Sequence, residues 1–396
     1  MPEAVARAVV LVLAVWASVA PAQPSDLPLQ GAARDLVGEG QGVYVEAADG
    51  TVLASQAADR PVHPASVTKV ASSLALLERL GPEHRFETRV SAAGDVRDGR
   101  VLGDLVIEAA GDPTLVYENV FLLLAKLRDL GVRGVAGGLA VQGPLLFNWK
   151  PDPTGERLQR ALAGRDGADA WAAVRRRLPS RPTLQQAGLS FEGAAGVTGA
   201  GLQSLVVNQS PPLVRILKWL NDYSNNVFHL LSDRIGGPGA VQQAARAHLA
   251  PDARGEIVVD NAAGAGDTNR MSPRVAVAVL QALERELARH RLSLTDALPV
   301  SGIDRGTLEA RLLDHRAMVV GKTGTFGDVG ASALVGVART RRWGAVTFAI
   351  LNSWVPVPEA RRRQDAFVRA LLDAGGGQPW PYRRSTEAPF IDARLE

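Results

Sequence analysis

Ser66 and Lys69 lie three residues apart in the stretch PASVTKVASSLALLERLG, residues 64–81. The stretch predicts an amphipathic helix beginning near Ser66, and on a helix residues three apart share a face. A serine hydroxyl is a weak nucleophile until a base takes its proton. Lysine can be that base when its ammonium pKa is lowered, whereas arginine stays charged. The chain has five lysines (Lys69, Lys126, Lys150, Lys218 and Lys322) against 39 arginines. Where any cation serves, this sequence uses arginine, so its lysines are the positions to inspect.

A second lysine, Lys322, sits in GKTGT at 321–325, and Ser224-Asn225-Asn226 lies between the two. S-x-x-K, S-x-N and K-T-G, in that order, form the signature set of the penicillin-recognising serine enzymes. The middle motif admits two frames. One is Ser224-x-Asn226; the other is the Y-x-N of Tyr223-Ser224-Asn225.

These residues need elements to hold them. GVYVEAADGTVLAS (42–55) reads as a β-hairpin around Asp49-Gly50. Residues 86–109 alternate like strands, ENVFLLLAKLRDLG is helical, and VAGGLAV is a short strand. PPLVRILKWLNDYSNNVFHLLSDRIGG predicts one or two helices ending at Gly236-Gly237. Residues 272–291 predict a helix with Ser272 as cap and Pro273 at its first position. Residues 317–323, 331–338 and 343–352 read as three successive strands, followed by a helix in PEARRRQDAFVRALLDAGG. Short connections between the last strands imply an antiparallel sheet. The expected fold is mixed α/β (α+β), a sheet flanked by helices. The catalytic unit is expected at 23–85 and 205–375, with an inserted smaller region at 86–204 and a tail at 376–396. Residues 143–200 carry the least legible pattern.

Three further blocks accompany the motifs: GDPTL (111–115), VVDNAAGAGDTNRMSP (258–273) and LPVSGIDRGTLEARL (298–312). With them the chain, from about residue 40 to 375, resembles the D-alanyl-D-alanine carboxypeptidase/endopeptidase family of the penicillin-binding protein 4 type. The resemblance implies a serine β-lactamase/transpeptidase-like domain and an acyl-enzyme at Ser66, with Lys69 as base and Ser224 as proton relay. It implies that Asn226 binds the substrate amide. Lys322, Thr323, Gly324 and Thr325 would hold the terminal carboxylate, Lys322 through its positive potential. The N–H groups of Ser66 and Thr325 would form the oxyanion hole. The implied substrates are peptidoglycan stem peptides ending in D-Ala-D-Ala, with β-lactams as covalent inhibitors and no cofactor. Departures from the family pattern are Asn225 in place of Asp, Ala262 and Ala263 in the D-G-S-G-L loop, and SLVVNQSPPL where a tyrosine-rich block stands. Asp112 in GDPTL reads as a turn former.

Composition bounds the alternatives. The net charge is +3 and the arginines are scattered, with no basic stripe interleaved with aromatics, which argues against nucleic acid. There is no cysteine, and the six histidines lack ligand spacing, so no metal site is expected. Arg7, the apolar run AVVLVLAVWASVA and Ala20-Pro21-Ala22 read as a signal peptide over residues 1–22. That implies a secreted, periplasmic protein, peripheral to the membrane at most. Two other readings use the same motifs: a β-lactamase, and a non-catalytic cell-wall-binding or penicillin-binding protein.

Overall fold

The computed structural model describes residues 27–177, 188–196, 201–327, 330–384 and 394–396. The expected signal peptide lies outside them.

One five-stranded sheet carries the site. Its order is Val319–Phe326, Ala331–Thr340, Gly344–Asn352, Gly42–Ala47, Val52–Gln56, and every pairing is antiparallel. The N-terminal hairpin turns where Asp49-Gly50 predicts: Gly50 has φ +85° and the Asp49 carboxylate accepts from Thr51 N–H. The central strands read as unbroken apolar runs because both faces are covered. Phe348 and Ile350 point into one core with Phe367, Val368 and Leu371 of the Val357–Gly375 helix. Ala349 and Leu351 point into the other, under the Thr68–Leu80 and Pro273–Arg289 helices. Ser272 caps the latter, accepting from Val275 N–H at 3.2 Å. The Thr68–Leu80 helix departs from the amphipathic expectation. It is buried from Thr68 through Leu77, wedged between the sheet and other helices.

The chain leaves this unit after Phe86 and returns at Ser210. Phe86 and Ser210 clasp the crossing through Phe86 N–H to Ser210 Oγ and Ser210 N–H to Phe86 O, both 2.8 Å. Between them lies a second core under a sheet ordered Arg394–Leu395, Leu202–Gln209, Glu87–Ala93, Leu105–Ala109, Leu139–Gln142. The strand Leu202–Gln209 pairs with Glu87–Ala93 along its length, so it runs through the 204/205 boundary read from the sequence. The C-terminal segment is likewise tied down. Gln378 N–H donates to Arg339 O, Trp380 N–H to Ala317 O, and Arg394–Leu395 adds an edge strand to the second sheet. Asp112 makes a turn, accepting from both Thr114 N–H and Thr114 Oγ.

Candidate active site

The site forms where the buried helix, the edge strand of the sheet and two loops converge. Ser66 sits in the short 3-10 turn Ala65–Val67 that opens the buried helix. Ala65 just before it has φ +47°, a left-handed conformation that costs a non-glycine residue of order 1–3 kcal/mol. Lys69, one turn on, is fully buried. Its Nζ donates to Ser66 Oγ at 2.8 Å, to Asn226 Oδ1 at 3.1 Å and to the Ala263 carbonyl at 2.6 Å. Burial pushes its pKa down to about 7, so near neutrality the amine is free to accept the serine proton.

The segment read as one or two helices, 211–237, is two, and they part at the second motif. Leu213–Asp222 and Phe228–Ser232 are helical, and Ser224 between them has φ +53°. The break projects Ser224 Oγ toward Lys322 Nζ, 3.0 Å away, while Asn226 Oδ1 reaches Lys69. Tyr223 is exposed and packs on Trp219, and the Asn225 side chain accepts from Val227 N–H. The contacts therefore belong to the Ser224-x-Asn226 frame.

Lys322, Thr323, Gly324 and Thr325 lie on the edge strand Val319–Phe326. Along such a strand the N–H groups alternate between the neighbouring strand and the open side. Gly321 N–H points to the open side, donating to Pro299 O at 3.0 Å, so Thr323 and Thr325 present their N–H groups to that side too. Gly324 allows the close approach to Ser66: a Cβ there would lie 2.5 Å from Pro64 O and 3.2 Å from Ser66 N. Lys322 is fully buried, its Nζ also donating to Thr323 O at 2.8 Å. Burial, reinforced by Lys69, holds it well below its ordinary pKa, with the Asp222 carboxylate opposing. Asp222 is itself pushed up to about 7 by burial, although Lys218 lies 3.5 Å away.

Sequence reasoning missed several contributors. Ala262 and Ala263 depart from the family pattern, yet that loop makes its contacts through its backbone. Ala262 O accepts from Ser72 Oγ at 2.6 Å and Ala263 O from Lys69. Gly264, at φ +78°, lets the loop press on the Ala65–Val67 turn, since a Cβ would fall 1.9 Å from Ala65 O. Its place in DNAAGAG was the available signal. His63 ties three pieces together. Its Nδ1 accepts from Ala65 N–H, its Nε2 then carries the proton and donates to Gly266 O, and its ring stacks on Phe326 at 4.4 Å. Burial lowers the His63 pKa, which favours this neutral form. Beyond His63 a cavity of about 570 Å³ opens, lined by Arg60, Arg270, Ala331 and Trp354 among others. Among the described residues no cluster of His, Cys, Asp or Glu could hold a metal ion, and no helix is long and apolar enough to cross a membrane.

Residues 29–146 and 170–373 match the D-Ala-D-Ala carboxypeptidase 3 (S13) family. A carboxypeptidase of Mycobacterium tuberculosis is 28% identical over 385 residues, covering 86% of this chain and 81% of the relative. Among solved structures, a predatory endopeptidase of Bdellovibrio bacteriovorus in complex with its immunity protein superposes with a TM-score of 0.76 at 22% identity, over 90% of this chain and 99% of that one. Penicillin-binding protein 4 of Haemophilus influenzae does so with a TM-score of 0.61 at 18% identity, over 86% and 97%. At these identities the structural matches speak for the fold. With its three motifs gathered in one cleft, this chain belongs to the S13 family of D-Ala-D-Ala carboxypeptidases.

Proposed function

We propose that Ser66, Lys69 and Ser224 carry out the peptidase chemistry, on peptidoglycan stem peptides ending in D-Ala-D-Ala, after export to the periplasm. The observation that carries this reading is the buried Lys69 amine 2.8 Å from Ser66 Oγ, with its pKa near 7. Neutral Lys69 takes the proton as Ser66 Oγ attacks the carbonyl carbon of the penultimate D-Ala. The oxyanion enters the N–H groups of Ser66, at a helix start, and Thr325, on the open strand edge. Collapse breaks the C–N bond, and the proton held by Lys69 returns through Ser224 to the departing amine of the terminal D-Ala. Asn226 holds the substrate amide, while Thr323 and Thr325 donate to its carboxylate across the gap that Gly324 leaves open. Water then hydrolyses the ester. Cleavage of peptide cross-links, the endopeptidase reaction, uses the same atoms.

A β-lactam ring offers the same carbonyl, so penicillin should acylate Ser66. A Bdellovibrio protein of this fold was solved as a penicillin G acyl-enzyme. Among the described residues, no side chain hydrogen-bonded to Ser66, Lys69, Ser224 or Asn226 is a carboxylate. A built-in base for rapid deacylation is thus missing from these contacts, which favours the peptidase over the β-lactamase reading. The test is labelling with a fluorescent penicillin, wild type beside Ser66→Ala, with D-Ala release from a D-Ala-D-Ala peptide in parallel. Label and release should both vanish in the variant. A folded wild type that takes no label would instead support a non-catalytic binding protein.

A further inference from the structure

The motif assigns the positive charge of the cleft to Lys322, yet that side chain is poorly placed to meet an incoming carboxylate. It is fully buried, and its Nζ is engaged by Ser224 Oγ at 3.0 Å and Thr323 O at 2.8 Å. Lys69 is buried as deeply and engaged by Ser66, Asn226 and Ala263. A third cation reaches the same strand from outside. Arg361 is exposed in the first turns of the Val357–Gly375 helix, and its Nη2 donates to Thr325 Oγ at 3.1 Å. Thr325 directly follows Gly324, the residue that abuts Ser66.

The neighbours of Arg361 have carboxylate partners, and among the described residues Arg361 has none. Arg362 and Arg363 both pair with Glu359, and Arg311 pairs with Asp365. A guanidinium keeps its charge at any working pH and has five donors in a fork matched to a carboxylate. One donor on Thr325 leaves others for a ligand. The N-terminal end of the helix adds positive potential at the same place.

We propose that Arg361, paired with the Thr325 hydroxyl, captures the terminal carboxylate of the substrate and makes the enzyme selective for peptides with a free C-terminus. The inference rests on the site reading above. In it, Lys322 orders Ser224 from beneath, while Arg361 supplies the accessible charge. The same contact receives the carboxylate of a penicillin.

The experiment compares the full chain with Arg361→Ala and Arg361→Lys, on one D-Ala-D-Ala peptide as its free acid and as its C-terminal amide. A hydrogen bond to a charged partner predicts that Arg361→Ala loses roughly ten- to a hundred-fold in kcat/KM on the acid. The loss should appear in KM, with kcat and the amide reaction little changed, so that the preference for the acid collapses. Arg361→Lys should keep part of that preference. An unfolded or misshapen variant would instead lose both substrates together. An unchanged acid-to-amide ratio in folded Arg361→Ala overturns the proposal. A wild type that cleaves neither peptide overturns the site reading, and the inference with it.

Discussion

Asn226→Asp places a carboxylate against Lys69, the base in the proposed acylation step. Asn226 Oδ1 lies 3.1 Å from Lys69 Nζ, so a charge at this position faces the ammonium directly. Opposite unit charges at that distance attract by about 5 kcal/mol at an effective dielectric of 20. Asn226 is exposed, so solvent screens the pair. With a dielectric of about 40 to 80 the attraction falls to about 1.3–2.7 kcal/mol, equivalent to roughly one to two pH units. The wild-type lysine, held near 7, is about half neutral at pH 7, where an ordinary lysine would be neutral in about one molecule in three thousand. In Asn226→Asp the neutral fraction at pH 7 should drop roughly five- to fifty-fold. The assay is the second-order rate of penicillin acylation from pH 5.5 to 10. Wild type should rise through a midpoint near 7, and the variant through one near 8–9, approaching the wild-type rate at the alkaline end. Loss of a substrate contact alone would lower the rate at every pH without moving the midpoint. A coincident midpoint in the two proteins would refute the assignment of Lys69 as the titrating base.

The same burial makes a stability prediction for Lys69→Met. Lys69 has a folded pKa near 7 and an unfolded one near 10.5. Below pH 7 it is charged in both states and the folded chain bears the full cost of a buried charge. Between 7 and 10.5 the unfolded chain binds more protons, so wild-type stability rises with pH. The gross cost is about 5 kcal/mol, offset in part by the hydrogen bonds to Ser66, Asn226 and Ala263. Lys69→Met should therefore be inactive but about 1–3 kcal/mol more stable than wild type at pH 6, with the gain shrinking by pH 9. Urea unfolding at the two pH values checks this, and a pH-independent difference would contradict it. Gly264→Ala tests the backbone loop: its Cβ would fall 1.9 Å from Ala65 O, at φ +78°. Acylation should fall about a hundred-fold or more for a stability loss of about 1–3 kcal/mol, because the loop moves off the nucleophile turn. Gly50→Ala, at φ +85° in open space, should lose stability but acylate normally; equal acylation by both variants would remove Gly264 from the site.

What could be read in the sequence is what depends on side-chain type at fixed spacing. Ser66 and Lys69, Asp49-Gly50, and the apolar runs at 331–338 and 343–352 all announce themselves this way. The inserted region does not. Gly134–Val135, Leu146–Phe147, Lys150–Pro151 and Ser190–Phe191 are two-residue strands, too short to show a period. Contributions made through the backbone are also silent: any residue has a carbonyl, so Ala263 carries no mark of its contact with Lys69. Arg361 is hidden differently, as one arginine among 39 whose distinction is to lie beside Thr325 with no carboxylate partner among the described residues.

These silent features follow from the legible ones by electrostatics. Keeping an amine unprotonated near neutral pH requires taking Lys69 out of water, and Lys322 is buried in the same interior. Two ammonium groups held there repel, so the burial that lowers the pKa of Lys69 also denies Lys322 a stable, accessible charge. A substrate that ends in a carboxylate still needs a cation, and guanidinium is the one that keeps its charge whatever its neighbours. It has to stand outside the buried pair to avoid adding to their repulsion. The first turns of the Val357–Gly375 helix, at the exposed end of the edge strand, provide such a position.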